Sequence, residues 1–529
     1  MRRAAMASAM LVAVAAFAWN LRQGFQKPGP DRSEVASLSG EGDLPSHAEF
    51  SGLPTTSGAA KIEAFCSSCH ILPPADAEPK SLWPVKIKEM YGYATGPRPR
   101  PADRIPPMAD AVDYWTSRAP TYLAMPAGSM GSPPPPRPFE KRLLRLEAIP
   151  DPPSVANVRF VRLADDAPPQ VLICDMRHGR VVLWTPSRSL ESAEVIGQLR
   201  HPCRAHVVDL DGDGLRDVLV SDLGDYWPVD TDQGAVVWLR NRGAGRFETV
   251  TLIGGLGRVA DAQAADFDGD GDLDIAVGVF GNLTTGMVLY LENCTRDYDH
   301  PDFEALPLDY RTGTSDVPIV DLNGDGRPDF LALQAQEHDH ILAFINRGGG
   351  TFRTELLYKA PHHRWGSTGI GLFDVDGDGD LDVLYNHGDS VQLPPIPRPY
   401  HGFGWIENRG NMPFAYHRLA HMPGAHTCLP ADLDGDGLVD FVSSAFIPAF
   451  NPDWPDAQQL DSVIWLRQVA PGQFQRFALE SRTPFHPCGD LGDYDGDGRV
   501  DVVLGNFVMF PADNNRMEGA CLTLFRLAP

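Results

Sequence analysis

Residues 209–217 read DLDGDGLRD, and the chain repeats this nine-residue form five more times: DFDGDGDLD at 266–274, DLNGDGRPD at 321–329, DVDGDGDLD at 374–382, DLDGDGLVD at 432–440 and DYDGDGRVD at 493–501. Successive loops start 57, 55, 53, 58 and 61 residues apart. That period is too long for a helical solenoid and suits four strands with their turns. The repeat therefore predicts a β-propeller blade.

Each loop offers side-chain oxygens at positions one, three, five and nine, with glycines at four and six that let the backbone fold sharply. A hard cation taking six to eight oxygens suits this pattern, which shortens the calcium loop of an EF-hand. The side-chain ligands expected are Asp209, Asp211, Asp213 and Asp217; Asp266, Asp268, Asp270 and Asp274; Asp321, Asn323, Asp325 and Asp329; Asp374, Asp376, Asp378 and Asp382; Asp432, Asp434, Asp436 and Asp440; and Asp493, Asp495, Asp497 and Asp501. Asp-Gly pairs also make plain turns. Six copies in register, however, would suffer heavy like-charge repulsion without a cation. The chain holds 45 basic and 70 acidic residues, a formal charge of -25, of which six divalent ions would offset 12. Much of its acidity is thus expected to serve metal ligation, and no basic, aromatic-studded patch points to nucleic acid.

After each loop comes a short apolar run, VLVSDL at 218 being the first, and then a strand with a central aromatic: Trp238, Tyr290, Phe344, Trp405 and Trp465. Outer strands open with Phe247, Phe303, Phe352, Phe414 and Phe474. RLADDAPPQVLICDM from Arg162 aligns as one more unit whose ligands are lost, with Asp166 alone surviving, so seven blades are expected and the first is expected to hold no calcium. The last unit lacks an outer strand, whereas FEKRLLRLE at Phe139 is left over. Ring closure between the two would remove an exposed sheet edge.

These units resemble FG-GAP or VCBS repeats, the calcium-bearing propeller repeats also seen in integrin α-subunits. The resemblance covers roughly 139–529 and implies a mostly β, seven-bladed propeller with six calcium loops. It says little about function, since propellers host adhesion, sugar binding and enzymes alike.

Upstream, Cys66-Ser67-Ser68-Cys69-His70 carries the C-x-x-C-H signature of covalent haem c attachment. Thiols two residues apart reach both haem vinyl groups, and the adjacent imidazole sits beneath the iron. A structural disulfide or half a zinc site is the alternative, but no second Cys or His pair lies nearby to complete a zinc site. The stretch 58–125 resembles a small all-α class I cytochrome c, with helices expected in SLWPVKIKEMYGY and ADAVDYWTSRAP. That resemblance implies a thioether ligand opposite His70. It maps onto Trp83 and Met90 followed by Gly92, with Met108 as runner-up. Either Met can instead serve core packing.

Residues 1–26 begin with Arg2 and Arg3 ahead of an apolar run and read as a signal peptide, with Ala16-Phe17-Ala18 as cleavage site, or as an uncleaved inner-membrane anchor. Both imply an extracytoplasmic, periplasmic or secreted protein. Residues 27–57 read as a flexible linker and 126–138 as a Pro-rich spacer. Of the cysteines outside the haem motif, Cys203, Cys428 and Cys488 precede calcium loops at similar offsets, and a disulfide between Cys428 and Cys488 is expected, with buried free thiols as the alternative.

Polar residues recur just before the loops: His201, Arg204 and His206, Arg258 and Asp261, Arg311 and Asp316, His363 and Arg364, His426, and His486. Distant segments of a propeller converge on its axis, so these are expected to ring one mouth of the channel. The leading expectation is an exported haem c electron-transfer protein that meets a redox partner protein and whose propeller docks a carbohydrate, surface polymer or protein. The alternative is a periplasmic oxidoreductase whose funnel oxidises a small substrate and passes electrons to the haem. No motif of specific catalytic spacing supports the second.

Overall fold

The computed structural model describes residues 57–68, 71–95, 105–336, 338–391, 396–410, 412–451 and 456–528. The signal or anchor segment and nearly all of the linker lie outside them, as do Cys69 and His70. Two compact units, residues 1–60 and 61–529, divide the chain.

Seven antiparallel sheets follow one another in chain order, six of four strands and one with an additional two-residue strand, Ile319–Val320. The chain is a seven-bladed β-propeller. Within each sheet the strands run as a meander, and the first strands pack against one another around the axis. These innermost strands are Val155–Val161, Pro202–Val208, Val259–Ala265, Thr314–Asp316, Ser367–Phe373, Leu429–Ala431 and Cys488–Gly492.

The second strands are the most deeply buried. Asp217–Asp222, Asp274–Val279, Asp329–Gln334 and Asp382–His387 are buried at every residue, because neighbouring blades cover both faces of the sheet. This is why they read as continuous apolar runs without alternation. The central aromatics of the third strands fill the wedges between blades, Trp238, Tyr290, Phe344 and Trp465 being almost wholly buried.

The ring closes through strand Phe139–Leu144, which pairs antiparallel with Leu522–Leu527, from Phe139 opposite Leu527 to Leu144 opposite Leu522. It supplies the outer strand of blade seven and ends three residues short of the 139–147 stretch read from sequence. The Pro-rich stretch upstream is tied to blade six: Gly131 N–H donates to Gln459 O at 2.7 Å, Ser132 Oγ to Asp461 Oδ2 at 2.6 Å and Ala478 N–H to Pro133 O at 2.9 Å.

Among the described residues three α-helices precede the propeller: α1 (Ser57–Cys66), α2 (Trp83–Thr95) and α3 (Met108–Thr116). Ile62, Trp83, Ile87, Tyr91, Ala111 and Trp115 form their core, with the Trp83 and Trp115 rings stacked at 4.4 Å. The Trp83 indole N–H donates to Ala75 O at 2.9 Å, so the ring is held at both its face and its edge. No described helix is long and apolar enough to cross a membrane.

The expected disulfide is absent: Cys428 and Cys488 are both free. Cys428 packs between blades five and six beside Phe441 and Ile464. Cys488 turns the other way, into the wedge between blades seven and one, with its Sγ 3.4 Å from Val155 O. Equivalent places on neighbouring blades put the two thiols on opposite flanks.

Candidate functional site

The acidic loops join the first and second strands of blades two to seven and therefore lie together at one end of the ring. In each, both glycines adopt the left-handed conformation, as in Gly212 at φ 66° and Gly214 at φ 86°, and a Cβ there would touch nothing. Backbone conformation, not space, demands glycine. The first aspartate accepts backbone N–H groups from positions four and six: Gly269 to Asp266 Oδ1 at 2.7 Å and Gly271 to Asp266 Oδ2 at 3.2 Å.

The ninth aspartate ties each loop to its sheet. In blade two, Asp217 accepts Leu210 N–H at 3.2 Å and Asn241 N–H at 2.6 Å, and Asp274, Asp329, Asp382 and Asp440 do the same in blades three to six. In blade three, Asp274 Oδ2 also accepts the Tyr290 hydroxyl at 2.9 Å. Carboxylate oxygens of Asp266, Asp268 and Asp274 lie within 4.8 Å of one another, as do those of Asp374, Asp376 and Asp382, and of Asp432, Asp434 and Asp440. In blades two and seven the converging sets are Asp209, Asp211 and Asp213, and Asp493, Asp495 and Asp497. The blade-three loop carries a fifth carboxylate, Asp272, which burial and then the surrounding Asp270, Asp274, Asp268 and Asp266 push up to about 6. A bound divalent cation would relieve that repulsion. Among the described residues neither blade one nor blade four, where Asn323 holds the third position, has such a cluster of carboxylates, and Arg216 of blade two pairs with Asp165 of blade one.

The polar residues expected to form one ring separate into three groups. Arg204, His206, Asp261 and Asp316 do meet on the axis: His206 Nε2 lies 2.8 Å from Asp261 Oδ1, and Arg204 pairs with Asp261 at 3.5 Å and with Asp316 at 2.5 Å. Burial opposes the Asp261 charge, but Arg204 and His206 hold its carboxyl well below the usual range. A second group is turned into the protein: His486 Nε2 contacts buried Glu480 at 2.7 Å, and His201 and His426 spend Nδ1 on the carbonyls of Met176 and Gly424. The third group, Arg311, His363 and Arg364, faces the helical module, while Arg258 stands outside all three with its guanidinium 5.7 Å from the centre of the Phe280 ring. The mouth opposite the acidic loops is filled by Met176, Leu223, Phe446 and Phe507, contributed by four different blades. The correction follows from strand alternation. Neighbouring residues at a strand start point to opposite faces, so proximity to the axis in sequence does not place a side chain on it.

Sequence reading missed the clamp between helical module and propeller. Glu78 pairs with Arg364 and, at 3.1 Å, with Arg398. Burial works against the Glu78 charge, yet the two guanidinium groups more than offset it and lower its pKa. Tyr400 Oη donates to Ala77 O at 3.1 Å and His363 Nδ1 lies 3.0 Å from Ile71 O. All these propeller groups sit on connections at the end opposite the acidic loops. Arg364 and Arg398 stand 34 residues apart in two different loops, a spacing that gives no periodic signal, so nothing in the sequence announced the pair.

Between module and blade four lies a cleft of about 670 Å³, lined by Ser67, Ser68, Ile71 and Leu72 on one side and by Arg311, His338, His340, Leu342, Leu356 and Lys359 on the other. Ser67 and Ser68 are the residues between the two cysteines of the haem motif. Cys66, at the end of α1, is half-buried against the module's aromatic core. Met90 on α2 is half-buried, whereas Met108 at the start of α3 is 41% exposed.

Comparison with known proteins agrees with the repeat. FG-GAP-like repeats match residues 209–277 and 321–385. Cartilage acidic protein 1 of Homo sapiens is 29% identical over 197 residues, 34% of this chain and 28% of that protein, and its Mus musculus counterpart is 28% identical over the same length and shares. The chain thus matches just over a quarter of these relatives. The solved structure of BBS1N in complex with ARL6DN, soaked with lead, superposes with a TM-score of 0.43 at 10% identity, covering 74% of this chain and 98% of that one.

Proposed function

We propose that this is an exported haem c electron-transfer protein whose calcium-stabilised FG-GAP propeller binds a protein partner, carbohydrate or surface polymer. The observation that carries the reading is the placement of Ser67 and Ser68, which follow Cys66: a buried ion cluster at Glu78 fixes the module so that these two residues open onto the blade-four cleft. The cleft's donor set suits haem. Ile71, Leu72, Leu342 and Leu356 are apolar walls for a flat macrocycle, and Lys359 is a cation for a propionate, Arg311 beside it being paired with Asp309. Cys66, Cys69 and His70 would hold the group, with Met90 as the distal ligand, and it would supply one-electron transfer. Export is in keeping with both haem ligation and millimolar calcium.

Docking is favoured over substrate oxidation because the axial polar groups are spent on one another and the mouth above them is filled. The test is expression of the full chain with haem-ligation machinery, followed by denaturing gel and pyridine haemochrome spectroscopy. Covalent haem should be present in the native sequence and reduced to a labile remnant in Cys66→Ala. Absence of covalent haem from properly matured protein would refute the electron-transfer half of the reading.

A further inference from the structure

The six acidic loops differ in one residue of the facing third strand. Strand registers place Leu239, Leu291, Phe344, Ile406, Leu466 and Phe525 opposite the residue that follows each loop. The next residue is Arg240 in blade two, Glu292 in three, Ile345 in four, Glu407 in five, Arg467 in six and Arg526 in seven.

Where arginine stands there, it reaches the loop's third position. Arg240 Nε lies 2.6 Å from Asp211 Oδ2, and Arg467 Nε lies 2.5 Å from Asp434 Oδ2, with its Nη2 3.2 Å from Asp436. Arg526 pairs with Asp495 and, at 2.6 Å, with Asp497. These contacts are sheltered, the Asp211 side chain being 2% exposed and that of Asp434 7%. Where glutamate stands there, the loop has no internal cation: among the described residues no Lys or Arg pairs with a carboxylate of 266–274 or 374–382. Those same two loops carry a fifth aspartate, Asp272 and Asp380. Blade four falls with the weaker set, since Asn323 replaces a carboxylate and Arg327 pairs with Asp325.

Both classes keep a buried carboxylate oxygen that no hydrogen bond uses. Asp434 Oδ1, in an arginine-bearing loop, and Asp272 Oδ1, in a glutamate-bearing one, are buried without a hydrogen-bond partner. Calcium affinity in such loops rises with ligand charge. A fixed guanidinium beside a ligating carboxylate takes one lone pair and repels the ion. We infer that the loops of blades three and five are the tight calcium sites, and that Arg240, Arg467 and Arg526 are built-in partial substitutes that weaken calcium binding in blades two, six and seven while holding those loops folded when calcium is scarce. Calcium withdrawal then empties blades two, four, six and seven before blades three and five. The inference rests on the calcium reading of the loops.

The test is to equilibrate the full-length protein across stepped, chelator-buffered free calcium and to count bound ions by mass spectrometry. Two ions should persist where the others have left, with midpoints at least about tenfold apart. Arg467→Gln should move one ion from the weak class about tenfold towards the tight class, and Glu292→Arg should move one the other way. Misfolding loses ions and cannot mimic the gain in Arg467→Gln, and melting in saturating calcium checks Glu292→Arg independently. Release of all ions in one class, or an unchanged curve in Arg467→Gln, overturns the inference while leaving calcium binding intact. No bound calcium at saturation would overturn the calcium reading itself, and this inference with it.

Discussion

Glu78 Oε1 lies 3.1 Å from Nη2 of Arg398, and both side chains are 1% exposed. A pair so thoroughly removed from water contributes little compared with a well-packed apolar substitute, but breaking it is costly because one charge is left uncompensated. Arg364 shares the same carboxylate oxygen, so Glu78→Gln would strand two cations at once. We expect this variant to lose about 3–5 kcal/mol of stability. Urea unfolding would measure it, and limited proteolysis should now cut between module and propeller while leaving the ring whole. Unchanged proteolysis would mean that the Tyr400 and His363 contacts suffice.

The repeat made the ring legible because each loop advertises itself twice, by glycines that only a left-handed turn requires and by carboxylates that only a cation or a network of N–H donors tolerates. Phe139 was legible for the opposite reason: a strand pattern with no local partner, matched by a last blade short of one strand. What sequence could not carry was side-chain direction at the strand starts. His206 and His486 precede their loops by three and seven residues, and one meets Asp261 on the axis while the other is buried against Glu480. The arginines that enter the loops, among them Arg240 some two dozen residues past its loop, were invisible until register aligned the third strand with the second.

Calcium removal should lower the melting temperature of the whole propeller, because an ion bound only by the folded state adds RT ln(1 + [L]/Kd) per site. Excess chelator is the measurement. An unchanged melt, with calcium shown to be absent, would count against structural calcium in every blade.

The distal ligand can be assigned by spectroscopy. Met90 is half-buried on α2 beside the module core, whereas Met108 projects from the first turn of α3. Met90→Ala should abolish the sulfur-to-iron absorption band of the oxidised protein and Met108→Ala should preserve it. The reverse pattern would transfer the role to Met108.

Asp339 makes alkaline stability testable. Its Oδ1 accepts Ser367 N–H at 3.0 Å and Ser367 Oγ–H at 2.6 Å, but burial outweighs these bonds and pushes the carboxyl up to about 8. The folded state therefore keeps a proton that the unfolded chain releases near its ordinary value of about 3.9. Stability from this group is full below that pH, falls as pH rises towards 8 by at most about 1.4 kcal/mol per unit, and levels off beyond. Asp339→Asn removes the titration and, at φ 44°, places a residue that tolerates the left-handed region. Urea unfolding across this range should show the wild-type slope flattened in the variant.

The axial network decides between docking and substrate oxidation. Arg204, His206, Asp261 and Asp316 neutralise one another, and Asp261 spends a further lone pair on Val317 N–H at 2.9 Å. A general base needs a free lone pair facing substrate; Arg204 and Asp261 are committed to their partners, and His206 spends Nε2 on Asp261, leaving Nδ1 alone. A panel of sugars, alcohols and aldehydes should therefore leave oxidised haem unreduced, whereas a reduced partner protein or dithionite reduces it. His206→Ala should cost stability, since it leaves the buried Asp261 charge less compensated. His486→Ala should do the same through Glu480, whose carboxyl His486 and Lys141 hold down at about 2 against the pull of burial. Neither variant should alter the rate of haem reduction by the partner. Reduction by one defined small substrate, lost by about 10²–10⁴-fold in His206→Ala while its melting temperature stays near wild type, would instead make the axis a catalytic site.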